Sequence, residues 1–127
     1  MAYTSGCGVS DDGLEHLRHL TGLVNLNISS NRNISDAGIQ HLRHLRDLVN
    51  LDISYNENIS DDGLTHLCHS VDLKNFNIRR CNISDAGLQH IGHLTGLTNL
   101  DISHNENISD DGLAHLRRHL VGLKIKM

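Results

Sequence analysis

Apolar residues along the chain follow two alternating rhythms. In Leu26-Asn27-Ile28 they stand two apart, which turns both side chains to the inner side of a short strand. In Leu14, Leu17 and Leu20 they stand three apart, the spacing of a stripe along a helix. Strand-like and helix-like stretches then take turns along the whole chain. Each helix-like stretch begins with a serine, at Ser10, Ser35, Ser60, Ser84 and Ser109. A serine hydroxyl is a natural N-cap because it accepts an orphan helix N–H. The Asp after each serine falls in the first helical turn, near the positive end of the helix dipole. A glycine follows closely, at Gly13, Gly38, Gly63, Gly87 and Gly112, and allows tight approach to a neighbouring segment.

These stretches are one motif written five times, from Val9-Ser10-Asp11-Asp12-Gly13-Leu14 to Ile108-Ser109-Asp110-Asp111-Gly112-Leu113, with glycines 25, 25, 24 and 25 residues apart. A second pattern runs between the copies: Leu23, Leu26, Ile28 and Asn31, then Leu48, Leu51, Ile53 and Asn56. It continues as Leu73, Phe76, Ile78 and Cys81, then Leu97, Leu100, Ile102 and Asn105. Each unit reads as strand, turn, helix and return, and stacking closes the core that no unit closes alone. Strands adding side by side at roughly 4.8 Å predict an α/β solenoid of five strands, with a parallel concave sheet and convex helices. Residues 1–127 form one domain, with a partial loop of a preceding repeat at 1–8 and repeats at 9–33, 34–58, 59–82, 83–107 and 108–127.

Written generically, the second pattern is LxxLxLxxN, with Cys81 in the Asn slot of the third copy. At these residues the chain resembles the leucine-rich repeat family, and its SDxGL helix starts resemble the cysteine-containing branch found in F-box-associated and some microbial proteins. The resemblance implies an interaction module that binds a protein partner on its concave face. It also leaves open the substrate-recognition part of a ubiquitin ligase, a structural fragment without its own partner, and a microbial effector acting in a host cell. The ends read as uncapped. Tyr3-Thr4-Ser5-Gly6-Cys7-Gly8 looks like the tail of a preceding strand and its loop, and Leu123-Lys124-Ile125 like a last strand reached two residues early. Leu17, Leu26 and Ile28 at one end, and Leu116, Leu123 and Ile125 at the other, are then expected to be partly bare, favouring a longer array or end-to-end homo-oligomers.

Composition narrows the function class. Of 127 residues 38% are hydrophobic and 20% charged, which suits a soluble globular domain. The aliphatic mass lies in 20 Leu and 11 Ile; the aromatics are Tyr3, Tyr55 and Phe76, too few for base-stacking platforms. A formal charge of -4 argues against bulk binding to nucleic acid or to an anionic membrane. No apolar run approaches the roughly 18 residues of a membrane span, and the N-terminus does not read as a signal sequence.

Residue types that carry chemistry recur in register rather than converge. Eleven histidines include the i, i+3 pairs His16/His19, His41/His44, His66/His69 and His90/His93, within reach of one ion. Such outer positions lack further convergent ligands, so no metal and no cofactor are expected. Ser, His and Asp are abundant without forming one triad, and no catalytic string is present, so the chain reads as a non-enzyme. Cys7 and Cys81 fall three coils apart, roughly 14 Å at strand spacing, too far for a disulfide. With Cys68 the count is odd, which points to a reducing compartment: the cytoplasm, or that of a host cell for an effector. The Asn-Ile-Ser sequons at Asn27, Asn33, Asn58, Asn82 and Asn107 follow from the repeat itself.

The outward positions differ while the scaffold is copied. One column reads Asn27, Asp52, Asn77, Asp101, Lys124; the next Ser29, Ser54, Arg79, Ser103, Lys126; and the third Ser30, Tyr55, Arg80, His104. Arg and Tyr anchor interfaces more often than other residue types. Asp52, Tyr55, Arg79, Arg80, Asp101 and His104 are therefore the expected partner-binding residues.

Overall fold

A computed structural model describes residues 2–3 and 9–127. Short strands alternate with helical segments throughout. The strands are β1 (Ala2–Tyr3), β2 (Asn25–Asn27), β3 (Asn50–Asp52), β4 (Asn75–Asn77), β5 (Asn99–Asp101) and β6 (Lys124–Lys126). The helices are α1 (Asp11–Leu17), α2 (Asp36–Ile39), α3 (Asp61–Leu64), α4 (Asp85–Ile91) and α5 (Asp110–His119); tight 3-10 turns over Gln40–His44 and Thr65–Leu67 extend α2 and α3. All six strands pair in parallel and in sequence order. The two-residue β1 pairs in parallel beside β2, and β2–β6 fall one in each of the five repeated segments. Cys7 and the loop around it lie outside the described residues. Among the described residues, no helix is long and apolar enough to cross a membrane.

The core is one aliphatic layer between sheet and helices. Each coil contributes the two strand-side residues and the helix stripe, such as Leu51, Ile53, Leu64 and Leu67. Leu20 departs from the expected stripe and is half exposed, because α1 ends at Leu17 and Leu20 follows in a turn. The apolar ends are also better covered than expected. Leu26, Ile28 and Leu116 are buried, with β1 paired along Leu26, and Leu17, Leu123 and Ile125 remain partly open.

The serines and aspartates tie one coil to the next. The Asp11 carboxylate accepts from the Ser35 N–H at 2.8 Å and from the Ser35 hydroxyl at 2.6 Å. Asp36 does the same for Ser60, Asp61 for Ser84 and Asp85 for Ser109. The Asp therefore does more than face its own helix dipole. Ser35, Ser84 and Ser109 also accept a helix N–H, while Ser10 and Ser60 make no side-chain cap bond. The glycine of each later coil sits against the same carboxylate. A Cβ on Gly38, Gly63, Gly87 or Gly112 would come within 3.0 Å of the Oδ1 of Asp11, Asp36, Asp61 or Asp85 respectively. Close approach to the preceding coil explains these four glycines.

The loop slot at Asn31, Asn56 and Asn105 is buried and fully used. The Asn56 amide donates to the carbonyls of Ile28, Ile53 and Ser54, and its Oδ1 accepts from the Asn31 N–H. Cys81 takes the same slot with fewer bonds, its thiol donating to the Ile53 carbonyl at 3.3 Å. Burial pushes that thiol up to about 12, so it stays protonated as the donor this slot needs.

Two outcomes test the tie between coils. Gly63→Ala should destabilise the fold by about 1–3 kcal/mol, because the new methyl displaces the Asp36 carboxylate from Ser60. Gly22→Ala, with nothing within 4 Å of its Cβ, should be within about 0.5 kcal/mol of neutral by denaturant unfolding. The second outcome concerns acid. Hydrogen bonds from the Ser109 hydroxyl and N–H hold the Asp85 carboxyl below its ordinary 3.8, outweighing desolvation. A carboxyl lowered by folding contributes stability that is present above the unfolded value and is lost as pH falls through the folded one. The Tm advantage of the native chain over Asp85→Asn should therefore be full at pH 6 and shrink below about pH 4; an advantage constant down to pH 3 would contradict the tie.

Candidate functional site

Side chains of β2–β6 that point away from the core line an open trough of about 640 Å³. Strand register sets its columns. Asn25, Asn50, Asn75, Asn99 and Lys124 form one, and Asn27, Asp52, Asn77, Asp101 and Lys126 the other. This corrects the expected places of Lys124 and Lys126, each of which belongs one column earlier. The physical reason is that Ile125 follows Leu113 by the same twelve residues that separate Leu100 from Leu88. Ile125, rather than Leu123, pairs beside Leu100.

The first column was missed by reading only the positions after the buried Leu. The residue before that Leu has the same parity and faces the same way. Its amides form a ladder. Asn50 Nδ2 donates to Asn25 Oδ1, Asn75 Nδ2 to Asn50 Oδ1, and Asn99 Nδ2 to Asn75 Oδ1 at 2.7 Å.

The second column closes the strand ends. Asn27, Asp52, Asn77 and Asp101 each accept, through Oδ1, the N–H two residues on at 3.0 Å. Ser29, Ser54 and Ser103 turn their hydroxyls onto the same acceptors, at 2.7, 2.5 and 2.6 Å. These serines are buried rather than presented outward as expected, because a short hydroxyl reaches back to its own strand. Asp52 and Asp101 line the trough with part of each carboxylate already engaged.

The third column follows where the chain leaves the sheet. Ser30, Tyr55, Arg80 and His104 all adopt left-handed backbone, with φ of 61°, 60°, 54° and 59°. That conformation is uncommon outside glycine, and it occurs here at the same turn of successive coils. All four side chains are exposed. Arg79 stands where neighbouring coils carry the buried serine and is itself half-buried. Its guanidinium and that of Arg80 both lie over the Tyr55 ring, 5.6 and 5.8 Å from its centroid. Arg79 Nε is buried without an acceptor among the described residues.

The six expected residues thus form two neighbouring groups. Asp52 and Asp101 sit in the trough, while Tyr55, Arg79, Arg80 and His104 sit along its edge; Arg80 and His104 also line a smaller depression of about 280 Å³ with Glu57 and Glu106. On the helical side, partial desolvation and the charges of Arg43 and Arg18 hold His44 below its ordinary 6.5. Among the described residues no three His, Cys, Asp or Glu side chains come together as a metal-binding group.

No curated protein matches the chain significantly. Solved structures do. An internalin (inlF) from Listeria monocytogenes is 27% identical with a TM-score of 0.72, over 93% of this chain and 36% of its own. Internalin C2 (inlC2) from the same organism is 20% identical with a TM-score of 0.75, over 96% of this chain and 48% of its own. A structure of the yeast Rad7 and Elc1 complex is 17% identical with a TM-score of 0.73, over 93% of this chain and 32% of that one. The chain spans between about a third and a half of these structures' lengths, and the two less similar ones share the fold alone. The family model described as "Leucine Rich repeat" matches residues 16–42, 39–68, 69–92 and 93–116. With those matches covering most of its length and its coils stacked as described, the chain belongs to the leucine-rich repeat family.

Proposed function

We propose that this domain binds a protein partner across the trough and its Tyr55–Arg80 edge. Leucine-rich repeat folds typically serve as interaction scaffolds rather than catalytic ones, which fits chemistry arranged in register instead of around one reacting centre. The observation that carries the reading is the contrast between columns. Scaffold positions repeat coil after coil, whereas Tyr55, Arg79 and Arg80 break the pattern together and meet at the trough's edge. Arg and Tyr supply planar donors and a large amphipathic ring, the features common to interface anchors. Asp52 and Asp101 beside them suit a partner of mixed charge with an acidic group near its centre. The proposed setting is a reducing compartment, the cytoplasm of its own cell or of a host, consistent with the free thiols of Cys68 and Cys81. The ubiquitin-ligase alternative rests on repeat type and on fold-level likeness.

Crosslinking capture from lysate, read by mass spectrometry, tests the placement. Arg79→Glu with Arg80→Glu should weaken partner binding by about 2 kcal/mol or more, roughly thirtyfold in Kd, with circular dichroism unchanged. His19→Ala with His44→Ala on the helical side should retain the same partners. The opposite pattern would place the binding surface on the helices.

A further inference from the structure

The arginine pair has chemistry that the other coils lack. Ser29, Ser54 and Ser103 are satisfied by Asn27, Asp52 and Asp101 on their own strands. Arg79 replaces that serine, and Asn77 Oδ1 accepts its backbone N–H at 3.0 Å. A guanidinium carries five donors and no acceptor, and Arg79 Nε is a buried donor without a partner among the described residues. Arg80 brings a second cation to the same ring. Among the described residues neither arginine has a carboxylate in ion-pair range, and the ion pair is Arg18–Glu15 at 4.0 Å. The ring face offsets part of the repulsion between two cations, and an anion of matching charge would offset the rest.

The surroundings restrict what that anion is attached to. Asp52 and Asp101 stand in the trough, and Glu57 and Glu106 line the depression beside Arg80 and His104. Successive phosphates of a nucleic acid would meet these carboxylates, whereas one compact anion on a side chain would not. A carboxylate has one charge and leaves one guanidinium unmatched. A phosphoryl group carries about -1.5 to -2 at neutral pH and three acceptor oxygens, and it pairs with arginine in bidentate fashion.

We propose that Arg79 and Arg80, braced on Tyr55, receive a phosphoryl group carried by a side chain of the protein partner. This rests on the partner-binding reading above and names the chemistry of its central contact.

The test uses the whole ¹⁵N-labelled chain and three peptide libraries with randomised flanks around a fixed phosphoserine, serine or glutamate. The phosphoserine library should shift the Nε–Hε signals of Arg79 and Arg80 and bind at least tenfold more tightly than the other two. Arg79→Gln with Arg80→Gln should abolish that preference. Tyr55→Asn, which suits the left-handed backbone at that position, should weaken it and provides a second variant if the double change unfolds the chain. Equal binding of the phosphoserine and glutamate libraries, no shift at either arginine, or a preference that survives in the folded Gln variant would each overturn the proposal. Loss of lysate partners on charge reversal without any phosphoserine preference would overturn this inference and leave the partner-binding reading standing. Partners retained through charge reversal would instead overturn that reading, and with it the phosphoryl contact.

Discussion

The four coils that follow the first are each positioned by a carboxylate of the coil before. The first-turn Asp accepts both the N–H and the hydroxyl of the next coil's N-cap serine, four times in succession. An ionised acceptor makes these bonds stronger than neutral ones. The bond is also demanding, since it closes only when helix starts lie close enough to exclude a Cβ. Gly38, Gly63, Gly87 and Gly112 meet that demand. With helix starts in step, the strands fall into register on the opposite side, and every column of the trough follows from that alignment.

Register converts repetition into a surface. Because Asn25, Asn50, Asn75 and Asn99 stand side by side, their amides bond to one another along the sheet. The same alignment turns small local differences into neighbours across coils. Tyr55 and Arg80 occupy the same left-handed turn of consecutive coils, and Arg79 precedes Arg80, so two guanidiniums converge on one ring. The coil that carries them is also one residue shorter and holds Cys81 in the Asn slot. There the thiol makes fewer carbonyl contacts than Asn56 or Asn105 makes.

Much of this fold was legible in the chain itself. The period of two at Leu26 and Ile28, the stripe at Leu14 and Leu17, the Ser-Asp-Gly helix starts and the Asn slot are local signals. Each reports which side of its own element faces the core, so element order, parallel pairing and the aliphatic layer could be read without neighbours. Contacts between coils could not. The Asp carboxylates looked like dipole partners, because the serine each one holds lies 23 or 24 residues away. Ser29, Ser54 and Ser103 counted as outward by alternation, yet a short hydroxyl bonds back to its strand. Lys124 and Lys126 each stand one column earlier than counting from Leu123 suggests, since it is Ile125, twelve residues after Leu113, that pairs beside Leu100. The two arginines were visible as departures from a copied pattern. That they meet on Tyr55 was decided by the stacking distance between coils, a property of the assembled solenoid that no stretch of local sequence contains.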